Sequence, residues 1–416
     1  MKGKTKMENT TSERLFLDIH AIQTVPPANI NRDDTGSPKT AQFGGVTRAR
    51  VSSQCWKHAM RKSFPEDKLG VRTKRALDLF YEHLGDLDEN RKYELLFLLE
   101  SLGFAVKISA SDDKGESEKI IIDSVFMWCS NNIKAFINFY LKEKEQITPL
   151  AEKYHQEIKE ELANPNSNKK RWRKLSKKEK KLQLKLSQDL ATKLKDNNSL
   201  DINLFGRMLA GNEDLMTDAS AQVAHAISTH AIEDEFDFFT AVDEKTIEGQ
   251  TGAGMIGTIE YNSSTLYRYA NIGLHNLHSQ LHNKKDVIDS AQLFVDAFVK
   301  SMPTGKINSF AHQTLPQAII VSLRDDRPVN MITAFEKPIK SENGYAAPSI
   351  VKLFEEYGKY DKILDKPRFT EYLLLDDFNV ANIGGNAAHS LNDLIVDLGA
   401  AISSNLKEQR EELLEN

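Results

Sequence analysis

The chain has 416 residues, of which 40% are hydrophobic and 28% charged, with a net charge of −5. That length can bury a sizeable core and predicts one elaborated domain or two to three lobes. Two distant cysteines, Cys55 and Cys129, exclude a disulfide framework. No apolar run approaches the roughly 18 residues that span a bilayer, and the polar N-terminus lacks an export signal. The expectation is a cytoplasmic protein without membrane contact.

The net charge hides segregation. From Arg14 to Phe64 eight basic residues face three acidic ones. A second block, Lys169–Lys185, holds ten Lys and Arg and a single Glu179, while the C-terminal tail is acidic. For binding phosphates the local footprint matters more than the sum.

In chain order, residues 14–25 (RLFLDIHAIQTV) alternate apolar and polar, a strand that Pro26-Pro27 should end. A polar loop follows. Then TRARVSSQ reads as a short strand with Arg48 and Arg50 on one side. Ser52 or Ser53 caps a helix through Phe64, on which Lys57 and Arg61, and His58 and Lys62, stand one turn apart. Residues 71–190 read as largely helical, interrupted by the linker NPNSN. Leu182, Leu186, Leu190 and Leu194 make the end of the basic block amphipathic. DINLFGRML looks like a strand, and Thr217 or Asp218 should cap a helix carrying Val223, Ala226, Ile227 and His230. FDFFTAV and GTIEYNSSTLYRYANIGL read as strands around a glycine-rich loop, followed by a helix over 286–302, a strand at PQAIIVSLRD and mostly helix over 349–416. The order predicts an α+β fold with a ferredoxin-like core.

Several motifs carry chemistry. Asn31, Arg32, Lys39, Arg48, Arg50, Ser52, Ser53, Gln54, Lys57, His58, Arg61 and Lys62 gather charged and neutral donors from a loop, a strand and a helix start. They suit a nucleic-acid backbone held without reading its sequence, or a solvated amphipathic face. Gly252, Gly254 and Gly257 spell GxGxxG, but a strand-like TIEY follows where a dinucleotide site needs a helix, so a hairpin tip fits better. Asp33-Asp34 reads as a loop cap or a pair for Arg32, with metal-dependent RNA cleavage as the alternative. His20, His58, His225 and His230 form no ligand set, since the last two fall off one helical face. No metal or cofactor is expected. The lysine block reads either as a solvated surface or as a contact to a second nucleic acid.

The stretch IHAIQTVPPANINRDDTGSPKTAQFGGVTRARVSSQCWKHAMRKS resembles the CasC family, the backbone subunit of the type I-E CRISPR Cascade complex. The resemblance resumes at NLFGRM, AHAISTHAIEDEFDFFTAVDE, LYRYANIGL and NMITAFEKPIKSENGYAAPSI. It covers about the first 65 residues and most of 200–350; the rest matches only in character. It implies an RRM-like palm (14–65, 199–230 and 266–350), helical fingers (66–198) and a β-hairpin thumb (231–265), with a tail at 1–13 and a helical segment at 351–416. It also implies a non-catalytic filament of copies along the guide RNA (crRNA), the thumb displacing bases periodically so that the rest pair with target DNA in antiviral defence. The partners implied are crRNA, target DNA, further copies, and the large, small, 5′-handle-capping and hairpin-processing subunits. Residues matching family crRNA contacts are Asn31, Arg32, Lys39, Ser52, Gln54, Lys57, His58 and Arg61, with Met208 at the displaced base, Thr240 on the thumb, and Lys337 and Lys340 as further backbone contacts. His58 stands where the family has Arg. Lys180, Lys181 and Lys185 resemble a finger strip that grips target DNA.

Overall fold

The structure, a computed structural model, describes residues 14–85, 88–109, 119–163, 172–209, 213–242 and 253–407. The chain divides into two units, one made of the residues up to Phe64 and from Ser220 onward, the other of Pro65–Ala219.

The first unit begins with β1 (Phe16–Ala28), β2 (Thr40–Phe43), β3 (Val46–Val51) and α1 (Ser53–Ser63). β1 runs through Pro26 and Pro27 rather than stopping before them. Its register against a later strand shifts between Val25 and Ala28, and a bulge is where a sheet tolerates proline. Ser52 caps α1, its hydroxyl accepting from the Cys55 N–H. That places Trp56, Ala59 and Met60 inward and the basic residues outward.

The second unit holds β4 (Val71–Thr73), α2 (Ala76–Leu84), α3 (Glu89–Ser101), β5 (Val106–Ser109), β6 (Lys119–Ile122), β7 (Phe126–Trp128), α4 (Ser130–Ala163), α5 (Lys177–Lys195) and α6 (Leu200–Phe205). Its helices bury one apolar cluster that includes Phe80, Phe97, Trp128, Phe136 and Tyr154. A capping box of Ser176 and Glu179 starts α5, and Leu186, Leu190 and Leu194 are buried at the expected spacing. The strand expected at DINLFGRML is the helix α6. Its alternating apolar residues mark no face, because Asp201 and Asn203 are buried along with Leu200, Ile202 and Leu204. Asp201 accepts from the Gly70 N–H, which makes burial of its carboxylate affordable. The NPNSN linker and Lys169–Arg171 lie outside the described residues.

The first unit resumes with β8 (Ala221–Val223), β9 (Ala226–Ser228), β10 (Glu235–Val242), β11 (Ala253–Gly273), α7 (Leu274–Leu281), α8 (Lys284–Lys300), α9 (Ile307–Phe310), β12 (Ala318–Arg324), α10 (Ala346–Lys359), β13 (Phe369–Leu374), β14 (Asn386–Ala387) and α11 (Leu391–Asn405). The helix expected after Thr217 is therefore two short strands. Both lie against β11, whose backbone groups outcompete a local helix. β13 likewise interrupts the helical stretch expected over 349–416. Among the described residues the sheet runs β14-β13-β12-β1-β11-β9-β3-β2, with β8 and β10 also paired to β11. No described helix is long and apolar enough to cross a membrane.

Both faces of the sheet are covered. α10 and the turn Met331–Phe335 bury Ile22, Tyr267 and Ile320 on one side. On the same side Asp18 accepts from the Tyr269 hydroxyl at 2.7 Å and from the Val329 N–H at 3.0 Å. On the other side α1 reaches the sheet through Arg268, whose guanidinium lies 3.7 Å from the Trp56 ring centre and 4.4 Å from that of Phe298. Arg268 donates to Gln23 Oε1 and the Phe298 carbonyl, so aromatic faces and neutral acceptors take the place of a counter-ion.

β10 and the outer half of β11 form a hairpin arm, from Glu235↔Tyr261 to Val242↔Ala253. Phe239 lays its ring over Gly257, where any Cβ would overlap it. Phe236, Phe238 and Ile256 stay exposed at 63%, 66% and 61%. The tip with Gly252 lies outside the described residues.

Arg48 ties the arm root to two other segments. Its side chain donates to the carbonyls of Phe43, Ser228, Phe335 and Glu336 at 2.8–3.3 Å. At the same root His230 Nδ1 donates to the Ala231 carbonyl, its Nε2 accepts from the Thr265 N–H, and its ring stacks on Tyr345 at 3.7 Å.

Two expectations follow. Gly44 sits at φ 62° against the Glu336 carbonyl, whereas Gly45 (φ 77°) has nothing within 4 Å. Gly44→Ala should cost clearly more than the about 1–2 kcal/mol set by backbone conformation alone, and Gly45→Ala only about that much, by urea denaturation. Equal costs would contradict the close approach. Burial holds the His230 pKa below 6.5; the Ala231 carbonyl opposes this and the Arg48 charge adds to it. The unfolded imidazole takes a proton near pH 6.5 and the folded one resists it, so His230 supports the fold fully above pH 6.5 and loses that support as acid approaches the lower folded value. His230→Gln should flatten this acid limb, and an NMR titration of His230 at or above 6.5 would refute it.

Candidate nucleic-acid interface

The sequence-predicted basic residues of the first unit lie in the loop after β1, on β3, on α1 and on the segment after Met331–Phe335. The loop after β1 is folded by its own side chains. Asn31 Oδ1 accepts from the Ser52 N–H at 2.8 Å, and the Asn31 carbonyl accepts from the Lys39 N–H at 2.8 Å. One asparagine thus joins the loop to the N-terminus of α1. Arg32 bridges to Pro38 and remains exposed. Asp33 Oδ1 accepts from the Thr35 N–H, the Thr35 hydroxyl and the Ser37 N–H. Those bonds, led by the Thr35 hydroxyl, hold its carboxyl below the usual range. Asp33 is therefore a loop cap. Asp34 is exposed. Among the described residues no group of three or more His, Cys, Asp or Glu can hold a metal ion.

Arg50 donates from Nε to the Thr40 carbonyl at 3.1 Å and lies with Nη1 3.2 Å from His225 Nδ1. Burial, then the charges of Arg50 and Lys39, hold the His225 pKa low. This is the local positive field expressed on a neutral neighbour. His225 is exposed next to β9, and His230 is buried at the arm root, so the two share no helix. On α1 His58, Lys62 and Gln54 are exposed, and Ser53, Lys57 and Arg61 half-buried. Burial lowers the Lys57 pKa.

Arg48 requires a correction. It is fully buried and committed to four carbonyls, so its charge is spent inside the fold and not presented at the surface. Ser52 is likewise buried, its hydroxyl spent on the helix cap. Lys337 and Lys340 are exposed on the segment that Arg48 draws to the β2–β3 turn, and the Ile339 N–H donates to the Thr229 carbonyl beside the arm root. Thr240 is exposed on the arm, opposite Ile256.

A small cleft opens among these residues, lined by Asn31, Lys39, Arg50, Val51, Asn262 and Ser264. Asn262 and Ser264 were not among the sequence candidates. The only signal for them is the polar run Asn262-Ser263-Ser264 inside a long strand pattern.

The remaining candidates belong to the second unit. Met208 is 83% exposed. Its neighbour Arg207 is buried, donating to the carbonyls of Leu215 and Met127 with Phe126 under its guanidinium, and alternation turns the next side chain outward. Lys180, Lys181 and Lys185 are exposed on α5 beside Leu184, along an open groove that Lys181, Leu184 and Lys185 line.

No curated protein matches the sequence. Among solved structures the chain is similar to one from a "CRISPR RNA-guided surveillance complex, pre-nicking", at 28% identity and a TM-score of 0.73, covering 93% of this chain and 100% of that one. It is also similar to a chain of a "CRISPR RNA-guided surveillance complex", at 25% identity and a TM-score of 0.56, covering 93% and 99%. Residues 17–396 match the family model described as CT1975-like protein, and the chain belongs to that family.

Proposed function

We propose that this protein is the non-catalytic, guide-RNA-binding backbone subunit of a CRISPR surveillance complex of type I-E. The observation that carries this reading is the end-to-end correspondence with a chain of an RNA-guided surveillance complex. The basic residues of the loop after β1, of β3 and of α1 support it. Arg32, Lys39, Arg50, Lys57 and Arg61 supply charge, and Asn31, Ser53 and Gln54 supply neutral donors. Such contacts hold any guide equally, and pairing between guide and target then reads the sequence.

In this proposal residues 14–65, 199–230 and 266–350 form an RRM-like palm, residues 66–198 provide the fingers, and the arm is the thumb. Copies stack along one crRNA. The arm, with Thr240, and the exposed Met208 act at the bases set aside, while Lys337 and Lys340 add backbone contacts. Lys180, Lys181 and Lys185 hold target DNA. The large, small, 5′-handle-capping and hairpin-processing subunits complete a cytoplasmic assembly for antiviral defence, and another protein cuts.

Lys57→Ala with Arg61→Ala should weaken crRNA binding roughly tenfold or more and lower the salt slope by about two, equally for every spacer. A spacer-dependent loss, in filter binding over a salt series, would count against sequence-independent contacts. Mg²⁺-dependent cleavage of bound RNA should be absent in wild type and unchanged in Asp33→Ala. Cutting that disappears in the variant would instead make this a metal-dependent nuclease.

A further inference from the structure

Thr304–Phe310, between α8 and β12, contains backbone that glycine would fit better. Lys306 lies at φ 54° and Ala311 at φ 47°, one at each end of the short helix α9. An L-residue loses free energy in the left-handed region where glycine does not. Such outliers persist where the surroundings over-determine them, and they gather at ligand clamps.

Here the surroundings can be named. A Cβ on Gly305 would overlap the carbonyl of Ile30, the residue before Asn31. His312 Nε2 donates to the Pro303 carbonyl at 2.9 Å and closes the loop. Thr314 Oγ1 donates to the Thr24 carbonyl at 2.7 Å, Gln23 Nε2 to the Thr314 carbonyl at 2.8 Å, and the Gln317 N–H to the Ile22 carbonyl at 2.8 Å. At its far end the Phe310 ring lies 5.8 Å from that of Tyr261, at the arm root. The segment therefore runs from Asn31 to the arm as a fixed element. Asn308 and Ser309 are exposed and Lys306 half-exposed. From Ser301 to Gln317 the sequence has no Asp or Glu, and Lys306 is its one Lys or Arg. One cation with neutral donors and no carboxylate suits a phosphodiester.

We infer that Thr304–Phe310 is a second backbone-binding segment for single-stranded guide RNA. Lys306 presents its ammonium to a phosphate, and Asn308 and Ser309 add uncharged donors. This rests on the RNA-binding reading above and extends the contact surface from Asn31 to the arm root.

The test uses the full 416-residue chain and a guide RNA, with affinity measured over a salt series and thermal stability measured alongside. Lys306→Gly relieves the backbone while removing the charge. It should leave the melting temperature unchanged or raise it, lower RNA affinity several-fold and reduce the salt slope by about one. Lys306→Arg should keep wild-type affinity. Unchanged affinity in Lys306→Gly, or an equal loss in both variants, would overturn the proposal. Arg61→Ala in the same assay separates the two readings. If it weakens binding and Lys306→Gly does not, only this segment is wrong; if neither does, the RNA-binding reading fails as well.

Discussion

Arg48 is the constraint on which the β2–β3 end of the first unit depends. A guanidinium taken out of water needs its donors satisfied, and the acceptors here are main-chain carbonyls from the adjoining β2–β3 turn and from two distant stretches of chain. Satisfying them draws together the β2–β3 turn, the arm root and the segment before Lys337. The close pass of Glu336 over Gly44 follows from the same geometry. Lys337 stands next to the carbonyls that Arg48 holds.

Arg268 plays a related part under α1. It is buried between Trp56 and Phe298 and has neutral hydrogen-bond partners. Both arginines, on opposite faces of the sheet, hold the fold with directional bonds to neutral groups. The stretch from Arg14 to Phe64 is basic in balance although the chain as a whole is acidic.

The long strands were legible in the sequence because alternation there coincides with pairing over many residues, as in β1 and β11. So was the cap of α1, since Ser52 acts within three residues of itself. Asp33 as a loop cap was legible for the same local reason. α6, β8 and β9 were misread because apolar spacing reports burial on one side, and these segments are enclosed or paired by remote chain. The spacing of Arg48 and Arg50 placed them on one side of a strand, but whether that side meets water depends on Phe335 and Glu336, nearly 290 residues away. Asn262 and Ser264 escaped notice because their relation to Asn31 exists only after β1 and β11 pair.

β11 has a mechanical consequence. It is one continuous strand of 21 residues that leaves the centre of the sheet and becomes a side of the arm. At about 3.3 Å per residue it spans roughly 70 Å. Its inner half is laced to β1 from Ser264 to Gly273. A pull along the arm would load those hydrogen bonds together in shear, because they run across the strand, and they would not open one at a time. Tension on the arm would reach the middle of the sheet along this one strand.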